Sequence, residues 1–265
     1  FGYCGGMLSL GLCLAYVLWA QGQGMPATRF VPVTMGITAV VYGVASLATF
    51  VLLRERAVPR AGAAHEPGLA GALRQLARTA RSARSFLDFS WLLACGVFYQ
   101  AGIAVVVALA AVYAEQALGF KQAQTMMLVF LVNIAAALGA FAFGYWQDRI
   151  GHKRALGVTL AGWVLMTLLA YLAAGAALFW VAAVIAGLCM GSSQSAGRAM
   201  AGVFAPAAQR AEFYGLWTFA TRLAAIVGPL TYGVVTWWSG GNHRLAILST
   251  ALYFVVGLLL LAPVD

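Results

Sequence analysis

The chain has 265 residues, 63% of them hydrophobic and 9% charged, with a mean hydropathy of +0.89. That composition lies outside the range of water-soluble domains and describes an integral membrane protein. The formal charge of +9 does not signal a nucleic-acid partner, because the basic residues fall in the gaps between apolar runs, where membrane orientation accounts for them.

Eight apolar runs lie at about 3–20, 30–53, 86–114, 123–146, 155–174, 177–197, 212–237 and 245–263. Each is close to the ~20 residues that cross a bilayer as a helix, so the fold class is an all-α membrane bundle. Alternating the gaps between the two sides puts twelve of the sixteen Lys and Arg on one side and three on the other, with Arg222 inside a run. The positive-inside asymmetry then places both chain ends in the cytoplasm. No charged segment followed by a short apolar one opens the chain, so no signal peptide is expected, and the start at Phe1 reads as a cut from something longer. Cys4, Cys13, Cys95 and Cys189 sit singly in apolar runs, the ordinary setting of small buried thiols.

The gap at 54–85 is the long one and reads as a linker. Arg54 to Pro67 is rich in Arg, Ala and Pro and is expected to be irregular. From there Leu69, Leu73, Leu76, Ala80 and Ala83 share one helical stripe, and Arg74, Arg78, Arg81 and Arg84 another. Such a helix either lies on anionic headgroups or is a solvated linker whose arginines set topology. Gln100 and Asn133 are amides inside runs and should face the bundle interior, to bond a neighbouring helix or a solute. Asp88 and Glu115 fall at opposite run ends, so no carboxylate is expected at mid-membrane.

Between the fourth and fifth runs stands Gly144-Tyr145-Trp146-Gln147-Asp148-Arg149-Ile150-Gly151-His152-Lys153-Arg154. Gly144 suits a close helix approach, Gly151 a chain reversal, and Asp148 a contact with a helix N-terminus or an arginine. Arg149, Lys153 and Arg154 would hold the loop on the cytoplasmic side. In the sixth run, Gly187 to Arg198 includes Ser192, Ser193 and Ser195, read as packing residues, and Gln194, read as a binding residue. Arg198 is an anchor or a gate residue. Arg222, with Thr221 beside it, lies deep in the seventh run, where a guanidinium costs ~2.5–3.5 kcal/mol and faces a cavity or a partner. It either binds an anionic group of a solute or is a structural cation. Gly228-Pro229 is expected to break the seventh helix, as a hinge or as a static bend. Phe179-Trp180 and Trp237-Trp238 read as interfacial aromatic anchors. His65, His152 and His243 are scattered over loops, and no metal site, cofactor or nucleophile motif is expected.

The loop of Gly144, Asp148, Arg149, Gly151, Lys153 and Arg154 resembles the signature loop of the major facilitator superfamily, with His152 where a basic residue is usual. A narrower resemblance lies in Gly187-Leu188-Cys189-Met190-Gly191-Ser192-Ser193-Gln194-Ser195-Ala196-Gly197-Arg198, Ala211-Glu212-Phe213-Tyr214-Gly215-Leu216, Thr221-Arg222 and Gly228-Pro229-Leu230. These look like the tenth and eleventh helices of the vacuolar amino-acid effluxers, the autophagy-related fungal permeases and their bacterial relatives. Phe1 to Gly6 and Phe98 to Gly102 resemble that family's fifth and seventh helices. Met190 and Gly197 stand where glutamine and serine are common, and Gln100 where aspartate is common.

The resemblance implies a bundle of two six-helix halves. Residues 1–53 would be the last two helices of the first half, 54–85 a cytoplasmic linker and 86–265 the complete second half, with four helices of the same protein preceding them. It further implies a monomeric secondary transporter of the bacterial inner membrane, exporting an amino acid or similar small solute by alternating access, and not an enzyme. Its pathway would use Arg222, Gln194, Gln100, Asn133, Thr221 and Arg198. The Asp148 loop would hold one gate state by contacts with the cytoplasmic end of the eleventh helix. The alternatives are a non-transporting scaffold on the same fold and an inactive truncated transporter.

Overall fold

The computed structural model describes residues 2–53 and 69–264. The expected irregular stretch at 54–67 lies outside them. The described elements are α1 (Gly2–Gly22), α2 (Ala27–Leu52), α3 (Leu69–Ala83), α4 (Leu87–Leu118), α5 (Gln122–Ile150), α6 (His152–Leu172), α7 (Ala176–Phe204), α8 (Arg210–Trp238) and α9 (His243–Leu261). One 3-10 turn, Ala207–Gln209, joins α7 to α8. All the helices except α3 are long and apolar enough to cross a membrane. Helical bundles dominate in hydrocarbon because each backbone N–H and C=O must be satisfied within its own segment.

The helices outrun the apolar runs. α4, α5, α7 and α8 have 32, 29, 29 and 29 residues. At ~1.5 Å per residue they exceed the ~30 Å hydrocarbon core, so their charged ends stay helical beyond it.

The chain falls into two compact units, Phe1–Glu66 and Pro67–Asp265. In the first, α1 packs on α2, and the Cys13 thiol donates to the Thr34 carbonyl and meets the Thr38 hydroxyl, each at 3.6 Å. In the second, α4 packs on α8 and α9, α7 packs on α5 and α6, and α6 meets α9. Exchanging α4, α5 and α6 for α7, α8 and α9 maps this set of pairs onto itself, the pattern of an inverted three-helix repeat.

Both long interfaces of that repeat use glycine to bring backbones together. A Cβ on Gly191 of α7 would fall on the Ala136 carbonyl oxygen of α5, and one on Gly228 of α8 on the Ala101 carbonyl oxygen of α4. Close backbone approach maximises dispersion contact where lipid supplies no hydrophobic drive. Larger side chains fill the centre. Trp163 stacks on Phe254 with centroids 5.1 Å apart, and Tyr113 donates to the Ala170 carbonyl at 2.7 Å.

Two expectations fail here. The chain stays helical through Gly228 and Pro229, so α8 is continuous where a break was expected. Glycine at 228 is explained by the approach to Ala101. Phe179 is no interfacial anchor: it is buried against Tyr113 and Phe120, at centroid distances of 5.5 and 5.7 Å. Trp237 and Trp238 are exposed, at 82% and 85%.

The start of α9 is closed by a side chain. The Asn242 side chain caps α9, accepting from the backbone N–H of Arg244 and Leu245 at 3.1 Å each. Asn242→Ala should therefore cost about 1 kcal/mol, read as a lower unfolding temperature in detergent. An unchanged temperature would mean that water replaces the cap at no cost.

Candidate functional site

α4, α7 and α8 enclose a groove of about 360 Å³. It is lined by Gln100, Ile103, Ala104 and Val107 of α4, Gln194 and Arg198 of α7, and Trp217, Thr218, Thr221, Arg222 and Ala225 of α8. Gln100, Gln194, Thr221 and Arg222 all fall in the middle third of their helices, so the chain brings them to a common depth. Arg198 is closer to the end of α7.

The two guanidiniums differ. Arg198 is tethered: its Nε donates to the Gln194 carbonyl at 3.1 Å and its Nη2 to Gln194 Oε1 at 3.2 Å. Tyr214 donates to the Arg198 carbonyl at 3.1 Å, holding that turn of α7 to α8. Arg222 is exposed to the groove and has no hydrogen-bond or ion-pair partner among the described residues. Thr221 turns its hydroxyl back to the Trp217 and Thr218 carbonyls, both at 3.0 Å. No carboxylate among the described residues lines the groove, so its two positive charges are not compensated from within that lining.

Asn133 is not part of this constellation. It donates to the Val129 carbonyl of its own helix at 2.8 Å and borders a second cavity of about 200 Å³. That cavity is otherwise apolar, with Val106, Ala110, Leu128, Val132, Met166, Phe179, Ala183 and Met190 in its wall. Val107 borders both cavities. Ser192 and Ser193 are buried and bond the Leu188 and Cys189 carbonyls of α7, and Ser193 also accepts from Trp163 Nε1 at 3.4 Å. These are packing roles.

The connection between α5 and α6 is the single residue Gly151, at φ +88° and ψ 154°. An L side chain is strained at that φ, which accounts for the glycine. Across it the Gln147 side-chain amide bonds the His152 ring. Arg149 folds back on Tyr145, donating to its hydroxyl at 2.7 Å with the guanidinium 4.6 Å from the ring centroid. Lys153 donates to the Ala262 carbonyl at 3.0 Å and so sits on the negative end of α9. Asp148 and Arg154 are exposed.

Two expectations about this motif are corrected. Nothing lies within 4 Å of a Cβ built on Gly144, so no close approach explains that glycine in the described bundle. Asp148 has no bonded partner among the described residues, and the connection is tied to α9 and not to α8, because α5 and α6 pack on α7 and α9.

Residues 1–265 match the family described as vacuole effluxer Atg22 like. The chain belongs to that family. Among curated proteins it is 22% identical over 264 residues to the uncharacterized MFS-type transporter YxiO of Bacillus subtilis, covering 98% of this chain and 60% of that protein. To autophagy-related protein 22-1 of Aspergillus niger it is 26% identical over 285 residues, covering 100% of this chain and 45% of the relative. The chain thus spans about half the length of the curated relatives it matches. Its fold is that of the E. coli fucose:proton symporter FucP (TM-score 0.63, 16% identity, 92% of this chain and 60% of that one). It is also that of the nucleoside transporter NupG (TM-score 0.62, 14% identity, 98% and 80%). These likenesses make the architecture a major-facilitator bundle.

Within the Atg22-like family's pattern, one departure has a structural reason. A Cβ on Gly197 would fall on the Tyr99 hydroxyl, so glycine in place of the common serine makes room for that ring. Tyr99 is fully buried, and by hydrogen-bond geometry its hydroxyl meets no partner among the described residues. Sequence reasoning missed Trp217, Thr218 and Val107. Their residue types are ordinary in a membrane helix, and no spacing signal singles them out.

Proposed function

We propose that this chain is part of a secondary transporter that moves a carboxylate-bearing solute, an amino acid with an apolar side chain, by alternating access. One observation carries the reading: Arg222, Gln100 and Gln194 from the middle of their helices, with Arg198 nearer the end of α7, converge on a groove lined by no carboxylate among the described residues. A guanidinium deep in a membrane span without a partner is costly, and a substrate carboxylate satisfies it by paired charge-assisted hydrogen bonds. The solute's ammonium group would be met by the Gln100 and Gln194 amide oxygens. The cavity that shares Val107 offers an apolar wall for the side chain, made more so by Met190 where relatives commonly carry glutamine.

In this reading α1 and α2 are the fifth and sixth helices of a two-half transporter, and 86–265 is its second half. The face rich in Arg and Lys is cytoplasmic, and flux is outward from the solute's compartment, in keeping with the family's description as effluxers. A bacterial inner membrane suits the B. subtilis relative. The Gly151 connection, tied by Lys153 to α9, moves with its repeat as the gate changes state.

The test is counterflow in proteoliposomes holding the native gene product, with a panel of labelled amino acids, sugars and nucleosides. Saturable exchange of apolar amino acids is expected. Exchange of sugars or nucleosides alone, or of nothing on the panel, would contradict the proposal.

A further inference from the structure

We infer, on the reading of the solute as an amino acid held by Arg222, that Val107 selects which side chains the solute carries. Val107 is the one residue common to the linings of the charged groove and the apolar cavity among the described residues. The two spaces follow the same helix faces. On α4, Gln100 and Ala104 line the groove and Ala111 the cavity, with Val107 between them at steps of about one turn. On α7, Ala186 and Met190 line the cavity, and Gln194 and Arg198 carry the same stripe into the groove at four-residue steps. Val107 is 61% exposed, so its side chain is open to a ligand and little of it is held by packing.

The cavity suits a hydrocarbon group. Its two polar neighbours are already bonded, Tyr113 to the Ala170 carbonyl at 2.7 Å and the Asn133 amide N–H to the Val129 carbonyl at 2.8 Å. Met166 and Met190 lend the wall unbranched thioethers that adapt to different shapes. At about 200 Å³ the cavity exceeds the roughly 150 Å³ that holds a benzene ring in a dry protein interior, so an isobutyl or benzyl group fits. The groove, at about 360 Å³, is near the small end of ligand sites, so a solute with its carboxylate on Arg222 reaches the wall at Val107. A methyl side chain stays within the groove. An isobutyl or benzyl one must pass Val107 to enter the cavity, and the bulk at position 107 sets the balance between them.

The experiment is counterflow of labelled alanine, leucine and phenylalanine in proteoliposomes holding the native gene product, as wild type, Val107→Ala and Val107→Phe. The readout is the ratio of leucine or phenylalanine exchange to alanine exchange within each protein, which cancels differences in the amount reconstituted. Val107→Ala should raise that ratio about tenfold and Val107→Phe lower it by as much, the low end of what one methylene of fit is worth in an apolar pocket. Should Val107→Phe not fold, Val107→Leu takes its place and must shift the ratio in the same direction. A general structural fault lowers all three solutes alike and leaves the ratio where it was. Unchanged ratios, or shifts of the same sign in the smaller and the larger variant, would overturn the inference while leaving amino-acid transport standing. Exchange of no amino acid by the wild type would remove that reading, and this inference with it.

Discussion

Arg222→Ala is expected to weaken binding of the transported solute roughly 10- to 100-fold, because a hydrogen bond to a charged group is worth about 1.5–3 kcal/mol. Arg222 lies in the middle third of α8, faces the groove and has no protein partner among the described residues. Its charge is therefore free for a ligand. Arg222→Lys should recover part of the affinity, since it keeps the charge but loses the fork that engages a carboxylate twice. The stability readout should go the other way. Removing a mid-membrane guanidinium removes an insertion cost of about 2.5–3.5 kcal/mol, so the amount of folded protein should not fall. Arg198→Ala should act differently, loosening Gln194 as well, because the two side chains are bonded to each other. The checks are solute-dependent thermal shift and counterflow on the three variants. Unchanged affinity in Arg222→Ala would show that the arginine serves the bundle and not the solute.

Gly191→Leu and Gly228→Leu should each cost about 3 kcal/mol or more, the upper range for overpacking. In both places even a Cβ would coincide with a carbonyl oxygen of the facing helix, Ala136 or Ala101. A backbone carbonyl cannot rotate aside as a side chain can, so the helices must separate along their length. Gly233→Ala on the same helix α8 is the control, because nothing lies within 4 Å of the added Cβ. It should change stability by no more than about 0.5 kcal/mol. Unfolding temperatures in one detergent decide the matter. Equal losses at 191, 228 and 233 would mean that the backbone approach is not what holds these interfaces.

Much of the fold was legible along the chain. Each apolar run became a membrane-length helix, and Gly151 stands at a positive φ where a reversal was expected. Part of the site was legible too, since Arg222 drew attention by its depth alone. Legibility failed wherever the answer depended on a neighbour. Pro229 read as a break, yet α8 continues through it. Phe179 read as an anchor because it is near a helix end, yet its ring is enclosed by Tyr113 and Phe120. Asn133 looked equivalent to Gln100, yet it borders the apolar cavity.

The sequence by itself determined that this protein lives in a membrane, where its helices run and which face is basic. Those properties are local: hydrocarbon forces each apolar segment to satisfy its own backbone, and the charges between segments can only remain at the surfaces. Only the tertiary structure decided that Gln100, Gln194, Arg198, Thr221 and Arg222 share one groove while Asn133 does not. That sorting follows from which helices adjoin. Adjacency is set by close backbone packing, as at Gly191 and Gly228, between helices that the chain order does not make neighbours.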